Sequence, residues 1–263
     1  MDRKNIPNPG FAADDGTADP RLAQALTAWS EDRAAEPELL RALTPSRLMV
    51  PIVALLGEVE TDESEAGWGS PRAKAGGGLR HEKTSDMAVP VIEAADGRRA
   101  LPAFTSLETL ARWRADARPA PVAAPQAVLA AYSERADTLL IDPAGPVTYQ
   151  LTGARMRAVA ENRVYLPPLG DPEVREAVRR VLGAQPEVVC ALLEPTDGAD
   201  GLLAVYTDPG LDGAALQESA QRIGRAVSSE PLLRVRLDRG LSLAMMGGAG
   251  PGAELPAEPL YRR

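Results

Sequence analysis

The order of apolar patterns along the chain predicts an α+β fold of two α/β sandwich-like domains, with mixed or antiparallel sheets flanked by helices. Three observations carry this prediction. Short runs rich in Val, Ile and Leu alternate with longer stretches whose apolar residues recur every three or four positions. Asp96-Gly97 sits between two such runs, as a tight hairpin requires. From Pro172 onward the pattern reads helix, strand, strand, helix, strand, with "TDGADG" as a second turn signal. At 263 residues the chain is long enough for two small domains, each with its own core.

Taken in order, residues 1–19 read as a flexible start. "PRLAQALTAWSEDRAA" then places Leu22, Ala25, Leu26 and Trp29 on one helical face. Pro37 opens a second helix carrying Leu39, Leu40 and Leu43. "RLMVPIVALLGE" reads as a buried strand, 58–85 as a flexible polar insertion, and "MAVPVIEA" as the next strand, turning at Asp96-Gly97 into "RRALPAF". Proline cannot donate to a ladder, so Pro51 and Pro90 in these strands belong at edges or bulges. Thr105 is the expected N-cap of a helix containing Leu107, Leu110, Ala111 and Trp113, with Glu108 closing a capping box. "RPAPVAAP" reads as a linker, "QAVLAAYSE" as a helix, "DTLLIDP" and "VTYQL" as a strand pair, and "TGARMRAVAEN" as a helix. Asp171 and Pro172 suit N-cap and N1 of the following helix, 172–182. Strands at 187–194 and 201–207, a helix at 213–227 and a strand at 231–238 complete the expected order. The boundaries that follow are one domain at 20–165, a second at 166–247, and an irregular Gly/Pro tail at 248–263.

Composition excludes several function classes. Aromatics are 4% and the formal net charge is −8, which disfavours nucleic acid as a partner because stacking platforms are scarce and phosphates are repelled. The single cysteine, Cys190, rules out an internal disulfide and lies in the apolar run "EVVCALLE", where a buried thiol is expected. The start of the chain lacks an apolar signal-peptide core and no run is long enough to span a bilayer, so the expected location is the cytoplasm, away from any membrane.

"MAVPVIEAADGRRALPAFTSLETLARW" carries a family resemblance. The strand, the Asp-Gly turn, "ALPAFTS" and a helix ending in Trp113 resemble the N-terminal domain of the SseB family, and residues 168–245 resemble that family's C-terminal domain. The most specific piece is "LPAFTS", with Phe104, Thr105 and Ser106 at its centre. The resemblance, to the two-domain actinobacterial form, implies a cytoplasmic bacterial protein. The family takes its name from enhanced sensitivity to serine and not from a reaction, so no catalytic residue is implied.

The densest group of reactive side chains is "AGGGLRHEKTSDM", which holds the only histidine. It fails the G-x-x-x-x-G-K-[ST] spacing, since Leu79 follows Gly78, and it fails the dinucleotide fingerprint because a strand follows where a helix is needed. His81-Glu82 lacks the second histidine of H-E-x-x-H, and no G-x-S-x-G elbow occurs. What remains is a cationic loop, with Arg80, His81 and Lys83 as a candidate binding site for an anionic ligand or partner. Arg155, Arg157 and Arg163 form a second candidate, a basic helix face with Met156 and Val159 turned inward. Phe104 reads as core, and "EPLYRR" as a disordered tail or a short docking motif. No catalytic, metal or cofactor set emerges. The expected function is a non-enzymatic adaptor or regulator that binds an unidentified protein partner, with oligomeric state open. The alternatives are a sensor of a small molecule such as an amino acid, held between the domains, and a hydrolase or transferase with a site near 78–86.

Overall fold

The computed structural model describes residue 11 and residues 14–56, 85–248 and 257–263. Helix α1 (Pro20–Glu31) and helix α2 (Glu36–Leu43) lead, joined by a 3-10 turn whose cap, Asp32, accepts from the Ala34 N–H. Leu22, Leu39, Leu40 and Leu43 are fully buried, as the helical spacing predicts. Strand β1 (Arg47–Leu56) follows, then β2 (Ser85–Ala88), β3 (Ile92–Glu93), β4 (Arg99–Ala103), helix α3 (Leu107–Trp113), β5 (Arg118–Ala123), helix α4 (Ala124–Ser133), β6 (Thr138–Ile141), β7 (Tyr149–Thr152) and helix α5 (Gly153–Ala160). The second half runs α6 (Pro172–Gly183), β8 (Val188–Glu194), β9 (Gly201–Thr207), α7 (Gly213–Ser229), α8 (Pro231–Arg236), β10 (Leu241–Gly248) and β11 (Tyr261–Arg262). The α+β class is therefore as the sequence predicts.

Three sheets are built from these strands, in the orders β2-β1-β5, β3-β4-β6-β7 and β10-β9-β8-β11. In the first, β1 is shared end to end: Arg47–Ile52 pair antiparallel with β5, and Val53–Leu56 with β2. Met49 exchanges both backbone hydrogen bonds with Phe104, at 2.7 and 2.9 Å, so Pro51, two residues on, presents its missing donor to the same side. The β2 ladder begins only at Val53–Ala88, and continuing its register would set Pro51 against Pro90, two residues without an N–H. Pro51 is thus not at an edge, since it lies inside the central strand β1. Its donor-less side falls in the gap between the Phe104 pairing and the β2 ladder, while Pro90 lies just past the end of β2. The pair ends one ladder, and the chain leaves Pro90 for β3 in the next sheet. The single strand expected over "MAVPVIEA" is accordingly two strands, β2 and β3.

Other differences have equally local causes. "RPAPVA" is not a linker but strand β5, opposite β1, with Pro119 and Pro121 facing Pro51 and Met49. Because Met49 points its own bonds toward Phe104, both prolines turn their donor-less side to the outer edge, where no ladder is lost. The expected strand at 231–238 is helix α8, begun by Pro231 at its first position, and the strand lies later, at β10. The tail expected to be irregular ends in β11, which pairs with Cys190 and Ala191 of β8, while Leu260 is buried in the core.

The chain divides into two compact units, one ending at Ala23 and resuming over Ser46–Gln150, the other comprising Gln24–Pro45 and Leu151–Arg263. The expected boundary at 165/166 therefore moves to 150/151, and α2 joins the second unit. Its Glu36 pairs with Arg155 of α5 at 2.8 Å, which holds those helices together. In the first unit α4 packs against β1, β4, β5 and β6, burying Ala127, Val128 and Ala131. In the second, α6, α7 and α8 pack on one another around Val178, Leu182, Val205 and Ile223, all fully buried.

Candidate functional site

Strand β10 lies at one end of its sheet, pairing with β9 in parallel over Leu241–Met245 before a register shift near Gly247 (φ 78°). Among the described residues no strand pairs with its outer side. Residues 240–248 carry no charge and no proline, and Met246 is 53% exposed. Beside this strand is an apolar cleft of about 260 Å³, walled by Leu203, Ile223, Val227, Leu233, Leu237 and Leu243. Its polar lining is confined to Ser228, Ser242 and Arg234, besides backbone at Gly224 and Gly240.

Several sequence features shape that cleft. Asp212 caps α7, accepting from the Ala215 N–H at 2.8 Å, and the helix carries Ile223 and Val227 inward. Gly224 faces the cleft at mid-helix, where a Cβ would meet nothing within 4 Å. The loop between α8 and β10 is held by one carboxylate. Asp200 accepts from the N–H groups of Asp238 (2.8 Å), Arg239 (2.6 Å) and Gly240 (3.0 Å), and its own N–H donates to the Gly240 carbonyl. Three aligned amide dipoles on one carboxylate fix the positions of Leu237 and Leu241 on either side of the loop. Asp238 in turn accepts from the Ala154 N–H at 2.6 Å and from Arg157 at 2.8 Å, so the start of α5 is tied to the same loop.

The basic helix face is engaged rather than free. Arg155 pairs with Glu36 and lies over the Tyr165 ring at 5.8 Å, and Arg157 pairs with Asp238 and donates to the Val235 carbonyl. Burial pushes the Tyr165 hydroxyl above its ordinary range, against the opposing pull of Arg155. Arg163 lies beyond the end of α5 and pairs with Glu161. Met156 and Val159 are buried, as expected. The structure does not bring the three arginines together as one patch, since each is matched to its own carboxylate. Arg80, His81 and Lys83 lie outside the described residues. Cys190 is fully buried within β8.

The "LPAFTS" residues form a structural joint. Phe104 is fully buried against Met49 and Leu110, with Trp113 tilted on its ring at 5.4 Å. Thr105 donates its N–H (2.9 Å) and hydroxyl (2.6 Å) to the buried Asp142 carboxylate, while its carbonyl accepts from Arg47 at 2.7 Å. Because Asp142 occupies the Thr105 side chain, the N-cap passes to Ser106, which accepts from the Thr109 N–H at 3.2 Å; Thr109 closes the capping box where Glu108 was expected. These polar groups tie β1, the end of β6 and α3 to β4.

Sequence reasoning missed the cleft and the β10 edge, because it read 231–238 as the strand. Two signals were present: the charge-free run at 240–248 and a glycine in the middle of an amphipathic helix.

Among known families, the model of the SseB protein N-terminal domain matches residues 22–158. No curated protein and no solved structure matches the chain.

Proposed function

The chain belongs to the SseB family, and from that premise we propose that it is a cytoplasmic, non-enzymatic adaptor or regulator whose second unit, the family's C-terminal domain, docks an extended protein segment along β10. One observation carries the proposal: among the described residues β10 is a sheet edge without the usual defences. Exposed edges are usually shortened, charged, interrupted by proline or covered. Among the described edges, β3 has two residues, β2 and β7 have four each, β5 turns two prolines outward, and β8 is covered by β11. By contrast β10 is eight residues long, apolar and uncharged, and it runs beside an apolar cleft. A strand edge next to a cleft is how many domains receive an extended peptide, the ladder supplying affinity and the cleft selecting side chains.

The cleft suits side chains better than a free amino acid. An ammonium and a carboxylate would both need partners, and the lining offers one guanidinium and two hydroxyls among leucines. Met246→Lys tests the reading, because a lysine on an exposed edge position obstructs strand addition while adding no buried charge. A partner recovered stoichiometrically with the native chain is expected to be lost with this variant at unchanged melting temperature. Equal recovery by both chains would refute the role of the edge.

A further inference from the structure

Resting on the reading of β10 as a docking edge, we infer that its occupant is an extended segment of alternating apolar residues that also carries a carboxylate. The charge of the cleft selects this chemistry. Arg234 is the one charged residue lining it, it is exposed, and its guanidinium has no ion pair among the described residues. The nearest acidic side chains in sequence are committed elsewhere: Glu230 pairs with Arg180 at 3.2 Å, and Asp238 with Arg157 and the Ala154 N–H. Among the described residues, a cation therefore stands uncompensated at an apolar cleft, in a chain whose net charge is −8.

Strand geometry agrees with this chemistry. Leu241 and Leu243 of β10 are two apart, share one face and line the cleft. A segment laid along the outer edge would send its own alternate residues over the same cleft, toward Leu233 and Val227 on the helices and Leu237 just past α8. A carboxylate on that segment would meet Arg234 and the hydroxyl of Ser228. The gap at Gly224 gives room for one large apolar side chain. A mid-helix glycine weakens its helix, so the space it leaves open carries a cost that an occupant would explain.

The test uses the full chain and a blocked valine/threonine hexapeptide in three versions, carrying a single glutamate, glutamine or lysine. Binding is read by titration and by hydrogen exchange of the β10 amides. The glutamate version is expected to protect those amides and to bind about five- to tenfold more tightly than the lysine version, as an exposed pair gained against a repulsion allows. Arg234→Glu should reverse that order. Gly224→Leu should fill the cleft and abolish binding of every version, with the fold intact because its side chain enters open space. If the lysine version binds as well as the glutamate one, or Arg234→Glu leaves the order unchanged, the acidic occupant is refuted while the docking edge stands. If no version protects β10, both fail. If β10 is already protected in a concentration-dependent dimer without peptide, the occupant is a second copy of the chain and the inference is overturned.

Discussion

Replacing Asp142 with alanine should be among the most damaging single changes to the first unit. The residue is 3% exposed, and its carboxylate is the acceptor for both the Thr105 N–H and the Thr105 hydroxyl. Truncation leaves two buried donors without a partner, at about 1–3 kcal/mol each. Asp142 also sits in the left-handed region, at φ 49°, where alanine adds about 1 kcal/mol that glycine would not. Together these give a loss of about 3–7 kcal/mol, a large share of a domain stability of about 5–15 kcal/mol. Asparagine is the control, since it tolerates the left-handed region and its carbonyl can still accept the Thr105 N–H while its amide donates to the rotated hydroxyl. It should cost about 1 kcal/mol, and Asp142→Gly should fall below Asp142→Ala by about 1 kcal/mol. The assay is a urea titration of each variant followed by tryptophan fluorescence, Trp113 lying against Phe104 in this unit. A loss under about 1 kcal/mol for the alanine variant would refute the account of Asp142 as the sole acceptor at this joint. An asparagine variant as damaged as alanine would do the same.

Ser106→Ala should cost about 1 kcal/mol in the same titration as the cap of α3 is lost, whereas Glu108→Ala, whose side chain pairs with exposed Arg112, should be near neutral. Gly153→Ala should cost about 1–2 kcal/mol for the left-handed backbone alone, and more because its Cβ would overlap the Asp238 carboxylate, which accepts from Ala154. Its mark beyond lost stability would be faster exchange of the Ala154 amide. The C-terminal strand should be acid-sensitive. Hydrogen bonds from the Arg263 guanidinium hold Asp208 below the usual carboxylate range, so the ion pair contributes fully above the unfolded value of about 3.9 and is lost as pH falls through the lower folded value. Exchange of the Leu260 and Arg263 amides, which donate to Ala191 and Val189, should rise over that window and more at higher salt; a flat profile would count against the pair.

Most of the helices were legible because each announces itself twice, by spacing and by cap. Asp171 before Pro172 and the Leu39, Leu40, Leu43 stripe are examples, and both reappear in the structure. The Asp96-Gly97 hairpin was legible for the same reason, as Gly97 takes the positive φ of 82° that the turn requires. The failures come where one signal has two meanings. "PLLRVR" is too short for its period to separate helix from strand, and Pro231 decided for helix. The prolines of "RPAPVA" imply a linker when read alone and an edge strand once Met49 is known to face Phe104. The N-cap was misplaced by one residue because the partner of Thr105 lies 37 positions away, at Asp142, where local pattern cannot reach. The cleft is invisible for a related reason. Its walls come from β9, α7, α8 and β10, and only folding sets Leu203 beside Leu237.

The two edges of the last sheet imply how long a partner segment must be. On the β8 side a ladder of two residue pairs suffices, because Leu260 is anchored in the core, Arg263 clasps Asp208 and the Pro186 carbonyl, and the segment is tethered to its own sheet. Because that segment belongs to the same chain, its docking is intramolecular and avoids the association cost that a separate molecule meets. On the β10 side the regular ladder spans Leu241–Met245, and alternate residues turn outward, so two or three present bonds to an incoming strand. Each such residue offers an N–H and a C=O, so about four to six bonds at about 0.5–1.5 kcal/mol net each give about 2–9 kcal/mol, which falls within the cost of association of about 4–15 kcal/mol. Apolar anchors in the cleft, at about 1.5–3 kcal/mol for each buried side chain, must supply the surplus. A free segment therefore needs at least five residues with two apolar side chains on one face. Shortening the glutamate hexapeptide to three residues should abolish protection of β10, and protection that survived the cut would mean the cleft, without the ladder, makes the site.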